Sequence, residues 1–115
     1  AVANRVVGDV AGKQCLMVYD MIDTAGTISE AVKDVMNAGA ASVVVAATHG
    51  ILSDPAAQRL SECGAQEVIV TDTLPIALEK RFDKLTILPI APLLARAIRE
   101  VFDDGSVTSL FDGVA

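Results

Sequence analysis

Apolar positions along the chain follow two rhythms that alternate. Over residues 15–19, "CLMVY" is a short unbroken apolar run of the kind a buried strand produces. From Thr27 the period lengthens. Ile28, Ala31, Val32, Val35 and Met36 then share one helical face, with Glu30, Lys33 and Asp34 opposite. Thr27 and Glu30 have the capping-box spacing that satisfies the first free amides of a helix, and Gly39 closes that helix. Over residues 42–47, "SVVVAA" is the clearest strand, β-branched and continuous. Asp54 before Pro55 marks a second helix start, and this helix extends to about Glu62, ahead of Gly64. "EVIVTD" is a third strand and "KLTIL" a fourth. Pro92 opens a third helix whose Leu93, Leu94, Ala97, Ile98 and Val101 are expected to face inward, with Arg96, Arg99 and Glu100 toward water. Residues 1–13 read as loop, punctuated by Gly8 and Gly12, and residues 71–84 as a polar connection with a helical turn over 75–81.

Strands alternating with helices predict an α/β fold with one mostly parallel sheet joined by right-handed crossovers. Ligands of such sheets bind beyond the carboxyl ends of the strands. The chain places "DMIDTAGT", "THG" and "TDT" after its first three strands, so three polar segments gather on one edge.

Composition narrows this picture. The 115 residues suit a single domain, residues 1–115. With 52% hydrophobic and only 3% aromatic residues, the core must be aliphatic, which fits a sheet covered by helices on both faces. A formal charge of −6 leaves no basic footprint for nucleic acid. No segment reaches the roughly 18 apolar residues that span a bilayer, and no signal-peptide layout opens the chain. Cys15 and Cys63 lack metal-ligand spacing and read as free thiols of a cytoplasmic protein.

The chemistry concentrates in "VYDMIDTAGT". A loop entering a helix offers unpaired amides and the positive end of the helix dipole, and phosphate uses both. Asp23, Thr24, Ala25, Gly26 and Thr27 combine small residues, one glycine and two hydroxyls. Asp20 and Asp23 would repel a bare phosphate. They suit a ligand that also carries sugar hydroxyls, or a nearby Mg²⁺. The residues alone leave a second reading open, an ordinary polar turn whose Asp and Thr side chains cap the backbone. His49, the single histidine, is read as a hydrogen-bonded turn residue, Asp72 as a turn cap, and Lys80, Arg81 and Lys84 as a solvated basic group. No residues combine into a catalytic set or a metal-ligand set.

The loop resembles the phosphoribosyl-diphosphate-binding loop of type I phosphoribosyltransferase-fold proteins. In order, "GDVAGKQCLMVYDMIDTAGTI", "GAASVVVAATHGILSDPA", "EVIVTDTLP", "APLLARAIREVF" and "SVTSLF" are similar to the ribose-phosphate diphosphokinase family, over nearly the whole chain. That resemblance implies a C-terminal portion lacking its N-terminal partner domain. The implied enzyme transfers diphosphate from ATP to ribose 5-phosphate with Mg²⁺, making phosphoribosyl diphosphate and AMP. Asp23, Thr24, Ala25, Gly26 and Thr27 would hold the 5-phosphate, and Asp20 the ribose hydroxyls. Ser106, Val107, Thr108 and Phe111 match a segment of an allosteric nucleotide site at a subunit interface, in a family that assembles as hexamers. The family's catalytic Lys and Arg would lie upstream of Ala1, with the ATP site, so the chain alone is expected to be inactive and to self-associate through uncovered surface. The family reads Asp-Asp where this chain has Tyr19-Asp20. That departure leaves open a non-catalytic regulatory or scaffold relative, and the loop alone also allows a nucleobase phosphoribosyltransferase.

Overall fold

The computed structural model describes residue 6 and residues 8–111; the loop reading of residues 1–5 and 7 lies outside them. Four strands form one sheet in the order β1 (Gln14–Ile22), β2 (Ser42–Gly50), β3 (Glu67–Thr71) and β4 (Leu85–Leu88). All three neighbouring pairs are parallel. Between them run α1 (Gly26–Asn37) and α2 (Ala56–Glu62), and α3 (Ala91–Phe102) follows β4. A short 3-10 helix, Leu78–Lys80, interrupts the β3–β4 connection, and a second, Val107–Phe111, follows α3. The α/β class with a parallel sheet is therefore the observed one.

Register decides where the core sits. Cys15, Met17 and Tyr19 of β1 pair with Val43, Val45 and Ala47 of β2, and these continue through Val68 and Val70 to Leu85 and Ile87. Side chains alternate across a strand, so this set lies on one face. Ile28 and Val32 of α1 and Ala56 and Leu60 of α2 join it in a single buried cluster. Val43, Val45, Val68 and Val70 are fully enclosed there.

The other face of the sheet is largely bare, contrary to the expectation of helices on both sides. Leu16 and Val18 are 64% and 72% exposed. α3 does not cover that face. Its substantial packing is with the 3-10 helix that follows it. Leu93, Leu94, Ile98 and Val101, expected to face inward, are all exposed, and α3 contains no buried residue.

Local signals also shifted by small steps. Both β1 and β2 run three residues further than the apolar runs "CLMVY" and "SVVVAA", because parallel pairing continues through Met21–His49 and Ile22–Gly50. Gly50, the last residue of β2, packs closely on Val70: an added Cβ would lie 3.1 Å from its Cγ2. Gly39 ends α1 as expected, with φ of 102° and its amide bonded to the Met36 carbonyl at 3.0 Å. The second helix begins at Ala56, with Pro55 in the cap position expected of Asp54. Its first amide bonds to the Ser53 carbonyl at 3.0 Å, and no side chain caps it. Arg81 and Lys84 are less free than a solvated face implies. Arg81 donates to the Ile76 carbonyl through Nε and Nη2 at 3.2 and 3.1 Å, and Lys84 Nζ lies 3.3 Å from the Ser61 carbonyl.

Candidate functional site

Residues 23–27 form the turn between the carboxyl end of β1 and the start of α1. At its entry the Ile22 carbonyl accepts two amides, those of Ile51 and Leu52, at 2.9 and 3.1 Å. Ala25 has φ of 64° and is buried. A left-handed conformation costs a residue with a Cβ about 1–2 kcal/mol, so the surrounding contacts must impose it. Gly26 then adopts helical torsions as the first residue of α1. A left-handed residue followed by a right-handed one turns successive amides into one concavity, the arrangement that receives anions. The first amides of α1 have no acceptor within the helix, and its dipole adds positive potential at the same point.

Residues 23–27, with Met21 and Ile28, line an open hollow of about 210 Å³. Asp23, Thr24 and Thr27 are exposed, Gly26 is half-buried, and Ser29 beneath them donates its hydroxyl to the Gly26 carbonyl at 2.9 Å. The capping box expected at Thr27 and Glu30 is absent. Ala25 is the N-cap, no side chain caps the helix, and Thr27 lies within its first turn. The helix begins early because Gly26 accepts helical torsions directly after the left-handed residue, which leaves the Thr27 hydroxyl on the solvent side.

Asp20 and Tyr19 diverge. Asp20 is exposed and its Oδ1 accepts the Met21 amide at 2.8 Å. Tyr19 is half-buried and packs against the core cluster, where burial pushes its phenol above the usual value. Consecutive strand residues point to opposite faces, so only Asp20 projects on the open side of the sheet.

The neighbouring strand ends are tied together. His49 lies in β2 instead of in a turn, and its Nδ1 is 2.8 Å from Thr73 Oγ1. Thr71 donates its hydroxyl to the Thr48 carbonyl at 2.6 Å. Asp72 does not cap its own turn: its Oδ1 accepts the amide of Ile90, 18 residues on, at 2.9 Å, just ahead of α3. The three polar segments therefore gather on one edge as expected. The reading of the sequence missed Arg59, whose Nη1 donates to the Thr24 carbonyl at 3.1 Å. No sequence signal marks it, because the contact joins residues 35 positions apart.

Ser106, Val107, Thr108 and Phe111 lie beyond α3. Ser106 bonds to Thr108 Oγ1 and to the Ser109 hydroxyl, while Val107 and Phe111 are exposed. Among the described residues no three His, Cys, Asp or Glu side chains gather where they could hold a metal. Nor is any helix among them long and apolar enough to cross a membrane.

Comparison with known proteins adds the following. The model of the family described as phosphoribosyl synthetase-associated domain matches residues 3–112. The chain is 67% identical over 114 residues to the ribose-phosphate pyrophosphokinase of Mycobacterium bovis, covering 99% of this chain and 35% of that protein. It is 67% identical over 112 residues to that of Bifidobacterium longum, covering 97% of this chain and 33% of the relative. The crystal structure of phosphoribosylpyrophosphate synthetase from Mycobacterium smegmatis superposes with a TM-score of 0.83 at 63% identity, covering 91% of this chain and 35% of that one. The chain thus spans about a third of the length of the relatives it matches. The C-terminal placement implied by the resemblance is not supported by these matches.

Proposed function

The chain belongs to the phosphoribosyl synthetase-associated domain family, and from that premise we propose that residues 20–27 are its ribose 5-phosphate site. In the intact protein this site serves transfer of diphosphate from ATP to ribose 5-phosphate, yielding phosphoribosyl diphosphate and AMP. The observation that carries the reading is the left-handed Ala25 at the head of α1, which opens the first helical amides into an exposed hollow. Amides of Ala25, Gly26 and Thr27, with the hydroxyls of Thr24 and Thr27, hold the phosphate. Asp23 borders the same cradle, and Asp20, on the open side of the sheet, accepts from the ribose hydroxyls. A positive helix end and nearby carboxylates coexist because the ligand carries an anion at one end and hydroxyls at the other.

Mg²⁺ fits this chain only as an ion shared with the ligand's phosphates, since the described residues offer two exposed carboxylates at the loop and no three-ligand cluster. Asp20 and Asp23 are the donors it would use, and it would neutralise phosphate charge. The groups that bind ATP and transfer the diphosphate belong to the rest of the intact protein, so residues 1–115 form one domain-sized unit without activity of its own. Assembly is as a homo-oligomer, and Ser106, Val107, Thr108 and Phe111 contribute to an effector-nucleotide site at a subunit interface. The exposure of Val107 and Phe111 supports that role.

Calorimetry tests the site. Ribose 5-phosphate should bind weakly to the chain, and Gly26→Val should remove the binding, since a branched side chain at the first residue of α1 would crowd the amide cradle itself. No heat at millimolar ligand from a well-folded sample would sink the reading. One observation favours a second reading, a non-catalytic regulatory or scaffold relative: Tyr19 faces the core where the family pattern has a carboxylate. If Tyr19→Asp in the full-length protein leaves diphosphate transfer at background, the scaffold reading gains; a rise in activity defeats it. The relatives' name gives no support to a nucleobase phosphoribosyltransferase.

A further inference from the structure

The phosphate loop is held from outside its own sequence by the segment that begins α2. Two contacts do this. The Ile51 and Leu52 amides clamp the Ile22 carbonyl at the loop's entry, and Arg59 Nη1 reaches the Thr24 carbonyl in its middle. Leu52, itself left-handed at φ of 56°, is almost fully buried, so this platform is anchored in the core. Leu60, next to Arg59, is wholly enclosed.

Arg59 is not among the residues that line the hollow. Its guanidinium lies close over the loop backbone at Gly26, where an added Cβ would come 3.2 Å from Nη1. The peptide between Thr24 and Ala25 is a rigid plane whose carbonyl and amide point in opposite directions. A donor holding the Thr24 carbonyl on one side therefore sends the Ala25 amide to the other. A cation on the carbonyl also polarises that peptide, making the amide a stronger donor.

We propose that Arg59 is a positioning residue for the phosphate cradle, acting through the Thr24 carbonyl to aim the Ala25 amide at the bound phosphate. This rests on the ribose 5-phosphate reading above. It also gives a reason for the left-handed torsion of Ala25: clamped at Ile22 and Thr24, the chain must turn sharply to enter α1.

The test uses the 115-residue chain in three forms, unmodified, Arg59→Met and Arg59→Lys, with ribose 5-phosphate and inorganic phosphate as calorimetric probes. Arg59→Met keeps the stem and removes the donors. Affinity for both probes should fall roughly three- to tenfold, the effect of losing one charge-assisted hydrogen bond at a partly solvated position. Arg59→Lys should recover part of it. The thermal midpoint should move by only a few degrees, the effect of one exposed hydrogen bond. In the ligand-free protein, the Ala25 amide resonance should shift in Arg59→Met, whereas amides of β3 should not change. Unaltered affinity in Arg59→Met, when the unmodified chain binds, overturns the role of Arg59 and leaves the site reading standing. Failure of the unmodified chain to bind removes the site reading instead. The ligand-free Ala25 signal then still decides the positioning, and an unperturbed amide overturns it.

Discussion

Helices α1 and α3 carry the same kind of aliphatic stripe and meet opposite fates. On α1, Ile28 and Val32 disappear into the sheet, and the helix entry is held in place from α2. On α3 the stripe stays in water: Ile98 is 64% exposed and Phe102 87%. Amphipathic periodicity thus states which side of a helix needs a partner, and nothing about whether the partner lies within the same chain. The difference follows from the connections. A crossover between two parallel strands must return to the sheet, so α1 and α2 are forced to cover a face. Among the described residues no strand follows α3, so no crossover there returns it to the sheet.

The largest effect expected from this contrast is on stability. Leu60→Ala empties a fully buried site and should cost about 2–5 kcal/mol. Ile98→Ala in α3 should cost less than about 0.5 kcal/mol, as exposed substitutions do. Urea denaturation followed by circular dichroism compares the two directly. Similar costs would mean that α3 is packed in solution.

Next in size is association. An apolar stripe on α3 and the bare sheet face around Leu16 and Val18 should draw copies of the chain together. Sedimentation should therefore find species heavier than a monomer, and replacing Ile98 and Phe102 together by Lys should shift the distribution toward it. A purely monomeric unmodified chain would break the comparison between the satisfied and unsatisfied regions.

The smallest effect belongs to Tyr19, the only tyrosine of a chain without tryptophan. Burial holds its phenol above its usual value of 10.0, so the folded state keeps the proton longer than the unfolded chain. The associated stability is fully present below the unfolded value and is lost as pH rises through the folded one. Near-ultraviolet absorbance should show a midpoint above 10.0 in the folded chain, returning to the ordinary value in denaturant. A midpoint at or below it would place the ring in water, and with it on the ribose side.

Much of the site was legible in the chain itself. A glycine, two hydroxyls and two carboxylates between an apolar run and a helical stripe marked the 23–27 turn, because those residue types are what an exposed helix start requires. The capping box was misread for a local reason. Thr27 and Glu30 have the right spacing, but the left-handed Ala25 moves the helix start ahead of them, and alanine carries no sign of that torsion.

The sequence by itself determined the elements, their order and the parallel pairing, since periodicity and crossover handedness are local properties of short segments. It also placed three polar segments on one edge of the sheet. Only the tertiary structure decided that one sheet face stays open, that Tyr19 turns to the core while Asp20 turns away, and that Arg59 reaches the loop from α2. Those outcomes depend on where distant segments meet in space. No single stretch of chain encodes them.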